Sequence, residues 1–72
     1  MNKFERLLRE FLPRVKLKSI NELANRTGIS KTSLCRKVKN PKTLTGRDLK
    51  IITEFLALSS AEIGELISSI NT

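Results

Sequence analysis

Residues 19–38, SINELANRTGISKTSLCRKV, read as two short helices either side of a glycine turn, the second rich in lysine, arginine and small hydroxyl residues. Ser19 is placed to cap the first helix, with Glu22 closing a capping box, and Leu23 and Ala24 supply an apolar contact and a small residue for close packing. That helix is expected to run to about Arg26. Gly28 then stands where a left-handed backbone ends a helix and turns the chain. Ile29 leads directly into a new cap at Ser30, and Ile29 with Leu34 has the spacing of a hydrophobic staple that fixes the angle of the second helix. A fixed angle is what presents one helix to a groove.

The remaining segments build a small helical domain around this pair. With 72 residues the chain has room for a single domain, 1–72, burying only about 60% of its unfolded surface. Upstream, Asn2 and Glu5 can cap a first helix whose Phe4, Leu7, Leu8, Phe11 and Leu12 recur at three- and four-residue spacing and form a core stripe. Pro13 ends or kinks that helix near Leu12, while Val15 continues the stripe and leaves an extra turn open. Downstream, KNPKTL at 39–44 reads as a loop. Thr45 with Asp48 caps a fourth helix, stapled by Leu44 and Leu49; its apolar Leu49, Ile51, Ile52, Phe55, Leu56 and Leu58 exceed one narrow stripe, so it is expected to be central. Ser59 with Glu62 caps a fifth, stapled by Leu58 and Ile63, with Ile63, Leu66, Ile67 and Ile70 as its face. Those four residues complete the core or leave part of the helix free for a weak homodimer or another protein. The expectation is a compact all-α five-helix bundle without strands or repeats.

Charge separates this pattern from a generic helical hairpin. The chain has 14 basic and 7 acidic residues, and residues 26–50 alone hold Arg26, Lys31, Arg36, Lys37, Lys39, Lys42, Arg47 and Lys50 against Asp48. From Ile51 onward the only charges are Glu54, Glu62 and Glu65. A positive field concentrated on the second helix of the pair and the segment after it is an electrostatic footprint for phosphate.

Other functions find little support in the residues. Histidine, tryptophan and tyrosine are absent, and lone Cys35 supplies neither a zinc set, a nucleophile–base pair nor an internal disulfide. Glu5, Glu10, Glu22 and Glu54 read as surface or capping residues. The expectation is therefore no enzyme, no cofactor, no metal and no small-molecule ligand. No run approaches about 18 apolar residues and no signal segment opens the chain, which points away from membranes and to a soluble, intracellular protein.

Residues 20–56 resemble the helix-turn-helix domain of the phage Cro and CI-type repressor family, in a five-helix form without a β-wing. The matching residues are Leu23 and Ala24 in the first motif helix, Gly28 at the turn, Ile29 after it and Leu34 in the second helix, followed by a polar loop and a capped fourth helix. Two positions depart: the apolar site before the turn glycine is Thr27, and the one three residues after Leu34 is Lys37, with Val38 taking over its contact. Length and overall pattern also look like the small Cro-like modulators of repression of temperate lactococcal-type phages. The resemblance implies a regulator of the lytic–lysogenic switch in the cytoplasm of a bacterial host. It favours an antirepressor that binds a CI-type repressor and alters or blocks its operator binding; the alternative is a Cro-like repressor that binds operator DNA directly as a dimer.

Helical geometry names the residues that would do either. With Leu34 at zero and about 100° per residue, Leu34 and Val38 face inward, Thr32, Arg36 and Lys39 lie opposite, Lys31 sits in the exposed first turn, and Ser33 and Cys35 fall on the flanks. Lys31, Thr32, Ser33, Cys35 and Arg36 are the candidates for contacting a base edge or a repressor, Arg36 foremost because a guanidinium bonds guanine bidentately. Lys39, Lys42, Thr43 and Arg47 are the candidate phosphate contacts, aided by amides at the start of the fourth helix.

Overall fold

Five short polar side chains each accept a backbone N–H and each begins a helix. In the computed structural model, which describes residues 1–71, these are α1 (Lys3–Phe11), α2 (Ile20–Thr27), α3 (Lys31–Lys39), α4 (Gly46–Phe55) and α5 (Ser60–Ser68), and no strand occurs among the described residues. Thr72, the end of the domain read from the sequence, lies outside them. The caps are Asn2, Ser19, Ser30, Thr45 and Ser59, as their spacing predicts. The boxes at Thr45/Asp48 and Ser59/Glu62 close in both directions. The Glu22 box closes one residue farther out than expected, its carboxylate accepting from the Lys18 N–H at 2.9 Å.

The helix ends follow backbone chemistry. Gly28 adopts φ 81 and ψ 5, and its N–H donates to the Ala24 carbonyl at 2.9 Å, ending α2 one residue beyond Arg26. Pro13 has no N–H to continue α1, and the chain tightens into a 3₁₀ turn over Leu12–Val15 before Lys16 reverses it at φ 62. The 39–44 segment is more ordered than a loop: Lys39 completes α3, and Pro41–Thr43 form a second 3₁₀ turn because proline presets φ for it. Likewise α4 ends at Phe55, before Leu58, and Ala57 at φ 53 turns the chain toward α5. The last described residues, Ser69–Asn71, form a third 3₁₀ turn, so Ile70 packs from beyond the end of α5.

One cluster of buried side chains holds these helices together: Phe4, Leu8, Phe11 and Leu12 from α1 and its extension, Leu17, Ile20, Leu23 and Ala24 around α2, Leu34 and Val38 from α3, and Ile52, Leu56, Leu58 and Leu66 from the C-terminal half. The central helix is α1, which packs on α3, α5 and the terminal 3₁₀ turn; α4 packs on α2. Phe4 and Leu8 are wholly buried, whereas Leu49 and Phe55 of α4 are only half-buried against the cluster and Ile51 is half-buried, so the wide apolar surface of α4 is a flank and not a centre. Its inner face closes on Ile52 and Thr53, the latter bonding its hydroxyl back to the Leu49 carbonyl at 2.8 Å.

Leu34 has no exposed surface, so Leu34→Ala should cost about 2–5 kcal/mol by opening a cavity. At Gly28 nothing within 4 Å would meet a Cβ, and only the positive φ opposes a side chain. Gly28→Ala should therefore cost about 1–2 kcal/mol, and Gly28→Val more. Thermal unfolding of the three variants tests the ranking; wild-type melting of Leu34→Ala would overturn the packing of α3.

Candidate nucleic-acid interface

The rotation of α3 on the core decides which of its side chains face solvent. Leu34 and Val38 are 0% and 2% exposed, and the two flanks are tied on opposite sides. Cys35 is half-buried and its thiol donates to the Asn21 amide oxygen of α2 at 3.3 Å, while the Lys37 ammonium lies 2.7 Å from the Asp48 carboxylate of α4. Thus the polar residue at an otherwise apolar position, Lys37, is accommodated by an ion pair, and Val38 fills the core as expected. Thr27, the other departure, bonds its hydroxyl to the Leu23 carbonyl at 2.8 Å. Lys31, Thr32, Arg36 and Lys39 remain exposed along the outer face, with Ser33 half-buried beside them.

Electrostatics sharpen this face. Outside residues 26–50 the chain carries six basic and six acidic residues, so its entire net charge of +7 resides in that segment. The single acid there, Asp48, is engaged: it accepts from the Thr45 N–H at 3.2 Å and pairs with Lys37. The Lys37 neighbour, the Thr45 N–H and the Thr45 hydroxyl hold its carboxyl below the usual range against the effect of burial. Arg26 lies over the Phe55 ring at 5.9 Å. Lys31, Arg36, Lys39, Lys42, Arg47 and Lys50 are exposed, and none is within ion-pair distance of an acid among the described residues. In addition, four helices carry an acid at their third position, Glu5, Glu22, Asp48 and Glu62, whereas α3 has Ser33 there and Lys31 at its first. Its Ser30 cap is long, 3.5 Å from the Ser33 nitrogen. The positive end of the α3 dipole is left without internal compensation.

The phosphate candidates divide. Lys42 and Arg47 are exposed beyond the end of α3 and in the first turn of α4, with no ion-pair partner among the described residues. Thr43 donates its hydroxyl proton to the Asn40 carbonyl at 2.7 Å, so that proton is committed within the turn. At the start of α4 the capping box takes up two amides, the Thr45 N–H by the Asp48 carboxylate and the Asp48 N–H by the Thr45 hydroxyl.

Several contacts carry no sequence signature. The Arg14 guanidinium grips both oxygens of Glu62 and lies 5.0 Å over the Phe11 ring, tying the turn after α1 to the start of α5. Asn2 donates its amide to the end of α3. An open depression of about 500 Å³ is lined by Arg9, Leu12, Pro13, Lys16, Leu17 and Lys18, and another of about 330 Å³ between α4 and α5 by Gly46, Leu49, Lys50, Thr53, Ile63 and Ile67. Among the described residues no group of histidine, cysteine and carboxylate side chains gathers as a metal site, and no helix is long and apolar enough to cross a membrane. Comparison with protein-family models, curated proteins and solved structures gives no match.

Acid should reveal the two carboxylates that lock helices. The Arg14 guanidinium, then the Ser59 N–H, pushes Glu62 from 4.5 down to about 2. A depressed folded-state value means that the stability from Glu62 is full above the unfolded value and is lost as pH falls toward about 2. Asp48 acts in the same direction. Glu62→Gln and Asp48→Asn should each lower the melting temperature at pH 7, and the gap to wild type should close on acidification. A gap independent of pH would remove these ion pairs from the account.

Proposed function

We propose that this chain is a DNA-directed regulator in which α2 and α3 form a helix-turn-helix and α3 is the helix offered to the major groove. The observation that carries this reading is the set of unpaired, exposed cations from Lys31 to Lys50 around a helix whose N-terminus lacks any acid. Cations so placed are self-repelling and gain most when they displace counterions from a polyanion. Arg36, Lys31 and Thr32 read base edges, with Ser33 and Cys35 at the margin of the contact; Lys39, Lys42 and Arg47 hold phosphate and give affinity without sequence information. One chain offers few base contacts, so two copies on adjacent half-sites are the natural arrangement.

A second reading, in which the same fold acts as a modulator that engages a CI-type repressor, is favoured by the apolar groove between α4 and α5. Ile67 is 45% exposed there and Ile63 only half-buried, giving a protein partner a place to dock away from α3. Band shifts on temperate-phage promoter DNA, with and without the cognate repressor, separate the two. A sequence-specific shift by the chain alone supports direct binding. A shift only in the presence of repressor, or release of repressor from DNA, together with a complex on size exclusion, supports the modulator.

Three substitutions test the DNA face. Arg36→Ala should cost about 1–3 kcal/mol on a preferred site and relax discrimination at one base pair. Lys42→Ala should weaken all sequences alike and lower the salt slope by about one unit. Ser33→Glu supplies the missing acid at the third position of α3, so it should stabilise the fold by a few tenths to about 1 kcal/mol while weakening duplex binding. A Ser33→Glu chain that binds DNA as tightly as wild type would remove the α3 N-terminus from the interface.

A further inference from the structure

Helix α3 ends without a left-handed residue to take up its last carbonyls. Asn40 at its C-cap is at φ −133 and ψ 76, and the Asn40 N–H serves the carbonyls of Arg36 and Lys37. Pro41 has no N–H to offer, and no backbone N–H among the described residues outside α3 reaches the carbonyls of Val38 and Lys39. The Asn2 amide takes both, its nitrogen lying 2.9 Å from the Val38 oxygen and 3.3 Å from that of Lys39. Its oxygen meanwhile accepts the Glu5 N–H of α1 at 2.7 Å. An amide turned the other way would oppose acceptor to acceptor and donor to donor, so one side chain caps the start of α1 and the end of α3 in a single orientation.

We infer that Asn2 is a positioning residue for the basic segment: as a C-cap of α3 supplied from the start of α1, it fixes the last turn of α3 and the Lys39–Thr43 stretch that follows. The order set at Val38 and Lys39 passes on through Asn40, whose carbonyl accepts the Thr43 N–H at 3.0 Å and the Thr43 hydroxyl at 2.7 Å, with Lys42 held between. Repulsion among Arg36, Lys37, Lys39 and Lys42 works against that order, with Lys37 alone neutralised by an acid among the described residues. The role of Lys39 and Lys42 rests on the DNA reading above; the capping role of Asn2 does not.

Asn2→Asp separates the two caps, because a carboxylate still accepts the Glu5 N–H and suits a helix N-terminus but has no proton for Val38 and Lys39. Asn2→Ser does so without added charge, because the shorter hydroxyl accepts the Glu5 N–H but does not reach the Val38 and Lys39 carbonyls. Site-resolved amide exchange on both full-length variants should show Glu5 and Arg6 protected as in wild type, with Asn40, Thr43 and Leu44 exchanging about tenfold faster. Binding of a 20-base-pair duplex of random sequence should weaken about two- to tenfold, with a salt slope lower by about one unit. Uniform acceleration over α1 and α3, or none at Asn40 and Thr43, overturns the inference. So does local acceleration with unchanged affinity in a chain that binds the duplex. A wild-type chain that fails to bind the duplex refutes the DNA reading instead, and the exchange pattern alone then decides the capping role.

Discussion

The orientation of α3 hangs on the burial of Leu34 and Val38 in the common core. Two fully enclosed side chains four residues apart define one line along a helix, and every other side chain on it is then fixed by about 100° steps. Phe4 and Leu8 supply much of the surface that encloses the core, which makes α1 the element on which the rest is assembled. In so small a domain each such contact is a large fraction of the total, since the stability of a chain this size is only a few kcal/mol. The outer face of α3 is therefore a consequence of packing on the opposite side.

The legible part of this structure was the part written in local chemistry. Caps announce themselves because a hydroxyl or amide satisfies otherwise orphaned N–H groups; at four helix starts an acid three residues later marks the cap, and at Ser30 of α3 the turn glycine and the Ile29–Leu34 staple mark it instead. Gly28 was visible because only glycine takes a positive φ freely. Two other reversals use Lys16 at φ 62 and Ala57 at φ 53, residues with no preference for that region, and nothing in their identity marked them. The prominence given to α4 came from counting its apolar residues, whereas centrality depends on how many elements share a helix face.

For the site, the division falls between angle and distance. The outward ridge of Thr32, Arg36 and Lys39 follows from Leu34 by rotation alone. The partners that hold the flanks do not: Cys35 with Asn21 and Lys37 with Asp48 join residues 14 and 11 positions apart, and Asn2 reaches across 36 and 37. The same blindness affected Thr43, which reads as a free hydroxyl in sequence and is committed to the Asn40 carbonyl in space.

Taken alone, α3 is a poor helix. Thr32, Ser33, Cys35 and Val38 have middling to low propensity, Lys31 opposes the dipole at the N-terminus, and nine residues are too few for an isolated helix to persist in water. Its order is supplied from outside, by the core beneath it, by α2 through Asn21, by α4 through Asp48 and by α1 through Asn2. Each of these supports attaches to the inner face, a flank or the C-terminal carbonyls. A helix stabilised by its own surface would need acids among its cations, in the pattern that α5 and α4 follow at their starts. Support from the sides and end leaves the exposed surface free of that requirement, and this is how a marginal domain can hold a strip of unneutralised positive charge in one fixed shape.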